Sequence, residues 1–334
     1  AYNKICKLSE EEKAKGIITA SAGNHAQGVA FSANDLGIDA TICMPEQTPM
    51  IKVDGTLKYG AKVDLFGENF DACKDHALER AEKEGLTFIP PFDDLDVIEG
   101  QGTISLEILE DLEYVDYVIV PVGGGGLIAG VAKCIKQISP LIKVIGVEPV
   151  SAASMKEAVK EGKVVKVKGV DTIADGTAVA EVGKYTYEIC KDYVDDWITV
   201  TDEEVLMAFI NLMERHKLVA EPSGALSLAA LQKVNFYNKN VVSIISGGNI
   251  DMSFISQLIN RGLFETGRIT RINVELPNIP GKLQELLSDI AYTKANVVTI
   301  DQDSLREASR YKNINVEITL ETNGTEHVLS LIHI

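Results

Sequence analysis

Gly123–Gly126 form an unbroken glycine run at the end of the apolar stretch Tyr117–Val122, and Leu127–Lys133 reads as the start of a helix. A glycine loop between a buried strand and a helix N-terminus lets the backbone close around a ligand. Several N–H groups and the positive end of the helix dipole then point at one anion. A phosphate suits such a cup. Gly124-Gly-Gly126-Leu-Ile-Ala129 also satisfies G-x-G-x-x-A, and Glu148 ends the following strand, which together make a formal dinucleotide fingerprint. Two more small polar loops follow strand-like runs. Ser21-Ala-Gly-Asn-His-Ala-Gln-Gly28 offers Ser21 as a helix N-cap, free N–H groups over residues 22–25, and the Asn24 amide for a ligand oxygen. Ser246-Gly-Gly-Asn249 follows the buried run Val241–Ile245.

Three such loops at strand C-terminal ends can converge on one molecule, because α/β sheets bind ligands at those ends. The ligand would carry an anionic group, a polar ring substituent and a ring nitrogen. Pyridoxal phosphate has all three, whereas a dinucleotide explains only the first loop.

The elements that must position these loops alternate along the first 260 residues. Strands are expected at 15–20, 38–45, 61–66, 115–122, 142–148 and 241–246, with helices after Asn24, through Tyr59, and over 69–84. Such alternation implies right-handed βαβ units, parallel sheets and helices on both faces. After about residue 268 the pattern changes to half-exposed strands at 271–276, 296–302 and 313–320 around a helix from Lys282 to Tyr292. This reads as a small α+β module behind a hinge at Phe264–Arg268.

The formal charge of −17, from 32 Lys+Arg against 49 Asp+Glu, argues against nucleic acid or an anionic membrane surface as partner. No apolar stretch approaches a membrane span. The five cysteines (6, 43, 73, 134, 190) are dispersed without CxxC spacing, as expected of reduced thiols in a cytoplasmic protein. The five histidines are equally scattered, which disfavours a histidine-rich metal centre.

Six motifs occur in order: Ser21–Gly28, Gly-Gln-Gly-Thr (100–103), Gly-Gly-Gly-Gly-Leu (123–127), Ala-Asp-Gly (174–176), Glu-Pro-Ser-Gly-Ala (221–225) and Ser-Gly-Gly-Asn (246–249). The set resembles the threonine dehydratases (threonine ammonia-lyases) of the fold-type II pyridoxal phosphate family, over roughly residues 1–265. Leu276-Pro-Asn-Ile-Pro-Gly-Lys-Leu283 resembles the signature of an ACT regulatory domain. The resemblance implies a tryptophan synthase β-like α/β core of two domains, a large one (1–15 and 94–263) and a small substrate-clamping one (16–93). An ACT-like α+β domain (269–334) would follow.

By the same resemblance, Gly123, Gly124, Gly125, Gly126 and the Leu127 amide would hold the cofactor phosphate. Asn24 would bond the ring hydroxyl, Ser246 would face the pyridine nitrogen, and Gly176 and Glu221 would line the ring. Backbone amides of Ser21, Ala22, Gly23 and His25 would bind the substrate carboxylate. A mono- or divalent cation would sit at Glu148 and the Ala152 carbonyl, although Ser154 stands where related racemases carry aspartate. The implied reaction takes L-threonine to 2-oxobutanoate and ammonia, with L-serine to pyruvate as a side activity. Ala22 replaces the second acid–base serine of the serine racemases, which favours elimination. Rival readings are a serine dehydratase or racemase, a nicotinamide-dependent oxidoreductase, and a catalytically dead effector-binding protein. A homo-oligomer, dimer or tetramer, is expected, with an amino-acid or nucleotide effector.

The family motif Ser-Phe-Lys-x-Arg-Gly-Ala-Tyr-Asn-Lys overlaps this chain only at Ala1-Tyr-Asn-Lys4. The Schiff-base lysine is therefore expected just upstream of Ala1, leaving no catalytic residue assigned within the chain. The last module is expected to be incomplete too, since a second helix and a final strand should follow His327. The chain is read as a fragment of a longer enzyme.

Overall fold

The computed structural model describes residues 1–303 and 312–332. Two compact units are present, residues 1–251 and 252–334. In the first, the chain runs α1 (Tyr2–Cys6), α2 (Glu10–Lys15), β1 (Ile17–Ala20), α3 (Asn24–Asp35), β2 (Ala40–Met44), α4 (Met50–Leu57), β3 (Lys62–Leu65), α5 (Phe70–Glu84), β4 (Thr87–Phe88) and α6 (Leu95–Asp111). It continues through β5 (Tyr117–Pro121), α7 (Gly126–Ile138), β6 (Lys143–Pro149), α8 (Ser154–Glu161), α9 (Lys184–Tyr193), β7 (Asp196–Val200), α10 (Asp202–Asn211), α11 (Pro222–Ala230) and β8 (Val241–Ser243).

Two parallel sheets result, ordered β3-β2-β1-β4 and β7-β6-β5-β8. The expected α/β alternation is present. β1 is buried at every position, and β5 is buried from Val118 onward. Sheets covered by helices on both faces leave no wet side for polar alternation. β7 had no clear signal in the sequence, because Asp196 is exposed and only Val200 is fully buried.

Helix ends follow local chemistry. The Asp94 carboxylate accepts from the Asp96 and Val97 N–H groups at the start of α6, and Thr201 with Glu204 closes a capping box on α10. α6 and α7 meet backbone to backbone: a Cβ on Gly102 would lie 2.9 Å from the Gly130 carbonyl oxygen, and one on Gly130 would lie 2.6 Å from the Gly102 nitrogen. Only glycines permit that approach.

The second unit contains α12 (Met252–Glu265), β9 (Ile269–Pro277), α13 (Lys282–Tyr292), β10 (Asn296–Asp303), β11 (Asn313–Glu321) and α14 (Thr325–Ile332). Its antiparallel sheet runs β10-β11-β9, with Val316, Ile318 and Leu320 wholly buried. The break between units falls before α12, whereas a hinge at Phe264–Arg268 would leave that helix with the first unit. The segment after Glu321 differs from expectation as well, because a helix is already formed over Thr325–Ile332. Residues 333–334 lie outside the described part.

Candidate active site

The glycine loop connects β5 to α7. Gly125 has φ +93°, which a side chain would strain, and it serves as N-cap of α7 without any side-chain cap. Gly124, Gly125 and Gly126 are buried. The first turn of α7 therefore presents its amide donors and dipole to a space that no side chain of its own fills.

Four other loops meet around this one. A Cβ on Gly123 would lie 3.0 Å from Thr177 Cα and 3.4 Å from the Gly176 oxygen. A Cβ on Gly176 would in turn lie 3.2 Å from Glu221 Oε1 and 3.0 Å from Ser223 Oγ. Asn24 Nδ2 donates to Glu221 Oε1 at 2.7 Å, and the Asn249 N–H donates to Glu221 Oε2 at 3.2 Å. Gln27 Nε2 reaches Asn249 Oδ1 at 3.3 Å. Residues from five motifs spread over the first unit thus share one corner.

Glu221, at the N-cap of α11, is only 5% exposed. Burial holds its carboxyl above the usual carboxylate range, against the pull of the Asn24 amide.

Ser21 departs from its expected role. α3 begins at Asn24 with Gly23 as N-cap, and the Ser21 hydroxyl instead accepts from the Gly23 N–H at 3.2 Å. A serine two residues before the amide it meets forms a tight side-chain turn, so the Gly23 N–H is engaged. His25 turns its ring to the Ile89 carbonyl, with Nε2 at 3.1 Å, and burial pushes the imidazole down to about 4. The ring is neutral at physiological pH, and only the backbone of His25 is available to an anion. Ala22 packs against the core around β1 and α3. Ser246 lies three residues beyond the end of β8, because the strand stops at Ser243, short of the expected 241–246. It is exposed, and its N–H faces the Gly224 oxygen at 3.4 Å.

Glu148 is wholly buried. Its two carboxylate oxygens accept from the Met155 and Lys156 N–H groups at 2.8 and 2.9 Å, which caps α8. Burial pushes this carboxyl up to about 7. Ala152 sits in the short 3-10 turn before α8, and Ser154 Oγ is buried without a partner.

Lys4, the trailing lysine of the family motif, is held by Asp94 at 2.8 Å. Burial drives the Cys43 and Cys73 thiols up to about 12 and 11, so neither offers a thiolate at neutral pH.

Several residues of this corner had escaped sequence reasoning. Phe92 and Asp93 adjoin the glycine loop and α9, and Thr186 donates to the Gly124 carbonyl at 2.8 Å. Lys52 on α4 reaches Asp175 at 3.2 Å, beside Gly176. The Phe-Asp-Asp run after Pro90-Pro91 is the one local signal that could have drawn attention to the first two.

The residues present fit pyridoxal phosphate. An uncapped helix N-terminus lies at one end for an anion. At the other, Ser223 Oγ and Asn249 Nδ2 are buried with no partner, beside the Asn24–Glu221 pair. Orphaned buried donors beside such loops are what a polar ligand satisfies.

Comparison with known proteins agrees. The sequence profile of the family described as "Pyridoxal-phosphate dependent enzyme" matches residues 1–247. The L-threonine ammonia-lyase of Geobacter sulfurreducens is 45% identical over 334 residues, covering 99% of this chain and 83% of that protein. The protein of the same name from Thermotoga maritima is 46% identical over 98% of this chain and 82% of its own length. Among solved structures, the processed threonine deaminase isoform 2 of Solanum lycopersicum superposes with TM-score 0.74 at 47% identity, covering 78% of this chain and 77% of that one. Geometry, profile and relatives concur that the chain belongs to the pyridoxal-phosphate dependent enzymes, within their threonine ammonia-lyase group.

Proposed function

We propose that the enzyme converts L-threonine to 2-oxobutanoate and ammonia, and L-serine more slowly to pyruvate. The observation that carries this reading is the meeting of the Asn24–Glu221 pair with the Gly176 and Gly123 loops, in a chain 45–46% identical to L-threonine ammonia-lyases over 98–99% of its own length. Pyridoxal phosphate, when bound, supplies the electron sink that acidifies the α-hydrogen of an amino acid.

The chain's own residues then have distinct tasks. The amides of Gly123–Leu127 bind the phosphate, aided by the dipole of α7. Asn24 donates to the ring hydroxyl, and Glu221 holds that amide in orientation. Ser246 faces the ring nitrogen, where a neutral hydroxyl leaves the nitrogen free to remain unprotonated. Gly176 leaves room at the ring. The loop Ser21–His25 takes the substrate carboxylate at the N-terminus of α3. Ala22 has no proton to give on its face of the substrate, so elimination is favoured over racemisation.

A cation at Glu148 and the Ala152 carbonyl belongs to the same proposal; potassium or magnesium should then raise the melting temperature of the parent but not of Glu148→Gln. The βαββα order of residues 269–332 supports an ACT-like module; its role as an effector site on a dimer or tetramer belongs to the same proposal and is tested by calorimetry with isoleucine, valine and nucleotides and by light scattering.

The deciding experiment follows 2-oxobutanoate release from L-threonine by the full-length gene product, with L-serine assayed for both pyruvate and D-serine. Release of 2-oxobutanoate with pyruvate supports the proposal. Conversion of L-serine chiefly to D-serine, or no turnover of threonine, overturns it.

A further inference from the structure

A second layer of contacts ties the glycine loop to α9. The Thr186 hydroxyl, wholly buried in the first turn of α9, lies 2.8 Å from the Gly124 carbonyl and 3.1 Å from that of Gly183. With one proton to give, it favours the nearer oxygen. Thr186 is itself fixed by Asp93, whose carboxylate accepts from the N–H groups of Lys184, Tyr185 and Thr186 at 3.0, 2.8 and 3.2 Å. Asp93 thus caps a helix some 90 residues away in sequence. That approach needs Gly183, where a Cβ would collide with the Asp93 carboxyl. The neighbouring Phe92 ring occupies the space that a side chain on Gly124 would need.

A peptide unit has its carbonyl and N–H on opposite sides. Tying the Gly124 carbonyl toward α9 therefore turns the Gly125 N–H away from α9. Gly125 cannot hold this orientation alone, since glycine has the widest backbone freedom of any residue.

We propose that Thr186 is a positioning residue for the cofactor phosphate, anchored by Asp93 and acting through the Gly124 peptide. This rests on the reading of Gly123–Leu127 as the phosphate cup. Without the hydroxyl, the loop can sample orientations in which an amide donor is lost, and phosphate affinity falls while the rest of the site stays intact.

The test uses purified protein stripped of cofactor and titrated by fluorescence with pyridoxal 5′-phosphate and, separately, with pyridoxal, which lacks the phosphate. Thr186→Val keeps the side-chain shape against Gly125 and Met155 but removes the donor. It should weaken pyridoxal 5′-phosphate about tenfold, the value of one hydrogen bond to a charged partner, and leave pyridoxal within about twofold. Thr186→Ser, which keeps the hydroxyl, should bind both like the parent, and Asp93→Asn should fall between. Unchanged affinity for pyridoxal 5′-phosphate in Thr186→Val, or equal weakening of both ligands, overturns the proposal. A parent protein that binds the two ligands equally well would overturn the phosphate-cup reading instead. Should Thr186→Val not fold, Thr186→Ala takes its place with the same expectations; failure of both to fold would make Thr186 a folding residue and end the proposal.

Discussion

Asn24 and Glu221 stand 197 positions apart in sequence, yet their side chains meet at 2.7 Å where the N-termini of α3 and α11 face each other. The Glu221 carboxylate accepts from the Asn24 amide and from the Asn249 N–H, which offsets part of the cost of its burial.

Removing the amide should therefore act twice. Asn24→Ala leaves Glu221 with the Asn249 N–H as its remaining described donor, and should cost about 1.5–3 kcal/mol in denaturant unfolding. It should also weaken pyridoxal phosphate about tenfold. Asn24→Asp, which sets two carboxylates side by side, should weaken the cofactor further, and more so as pH rises. Equal binding by both variants and the parent would remove Asn24 from the site.

Gly124→Ala places a methyl on the Phe92 ring. Overpacking of this kind costs about 1–3 kcal/mol, so melting temperature and cofactor affinity should drop together. Phe92→Ala in the same chain should restore part of both. No recovery in the double variant would show that the loop fails for another reason.

His25 predicts a pH effect of definite sign. Its pKa falls from the ordinary 6.5 to about 4 in the folded state, mainly through burial. Between these values the unfolded chain binds more protons, so His25 contributes stability that is complete above pH 6.5 and is lost as pH drops toward 4. The loss amounts to at most about 3 kcal/mol. Unfolding free energies of the parent and of His25→Asn, measured from pH 4 to 8, should show the parent losing ground to the variant only in that window. Parallel curves would mean that the ring is not buried as described.

Lys52 and Asp175 join α4 to the turn bearing Gly176, but Asp175 is 63% exposed. Solvent screening limits such a pair to about 1 kcal/mol or less. Lys52→Ala should hardly move the unfolding midpoint and should act instead on the Michaelis constant for threonine, with a salt dependence that the parent shows more strongly. A large loss of stability would contradict this.

What the sequence revealed and what it hid have physical reasons. Gly123–Gly126 and the loops at 21–28 and 246–249 were legible because a glycine run after an apolar strand is a local pattern with one dominant use. The N-cap of α3 was misplaced because Ser21 and Gly23 both suit a helix entry, and the choice rests on which amide the serine oxygen meets. β7 was hidden by its polar flank, and the far end of the 241–246 run by its irregular backbone beyond Ser243. Thr186 carried no signal and Asp93 only the faint one of the Phe-Asp-Asp run, since a threonine in a helix and an aspartate in a loop are ordinary until the fold joins them at the start of α9.

The contact between Gly102 and Gly130 has a mechanical meaning. Side chains between helices act as springs, taking up small displacements by changing rotamer. Here two backbones abut with nothing compressible between them, so α7 cannot shift by fractions of an ångström against α6. The anion cradle at the tip of α7 is in effect bolted to its neighbour. It should offer the same shape empty or occupied, and little of the binding free energy need go into rearranging it.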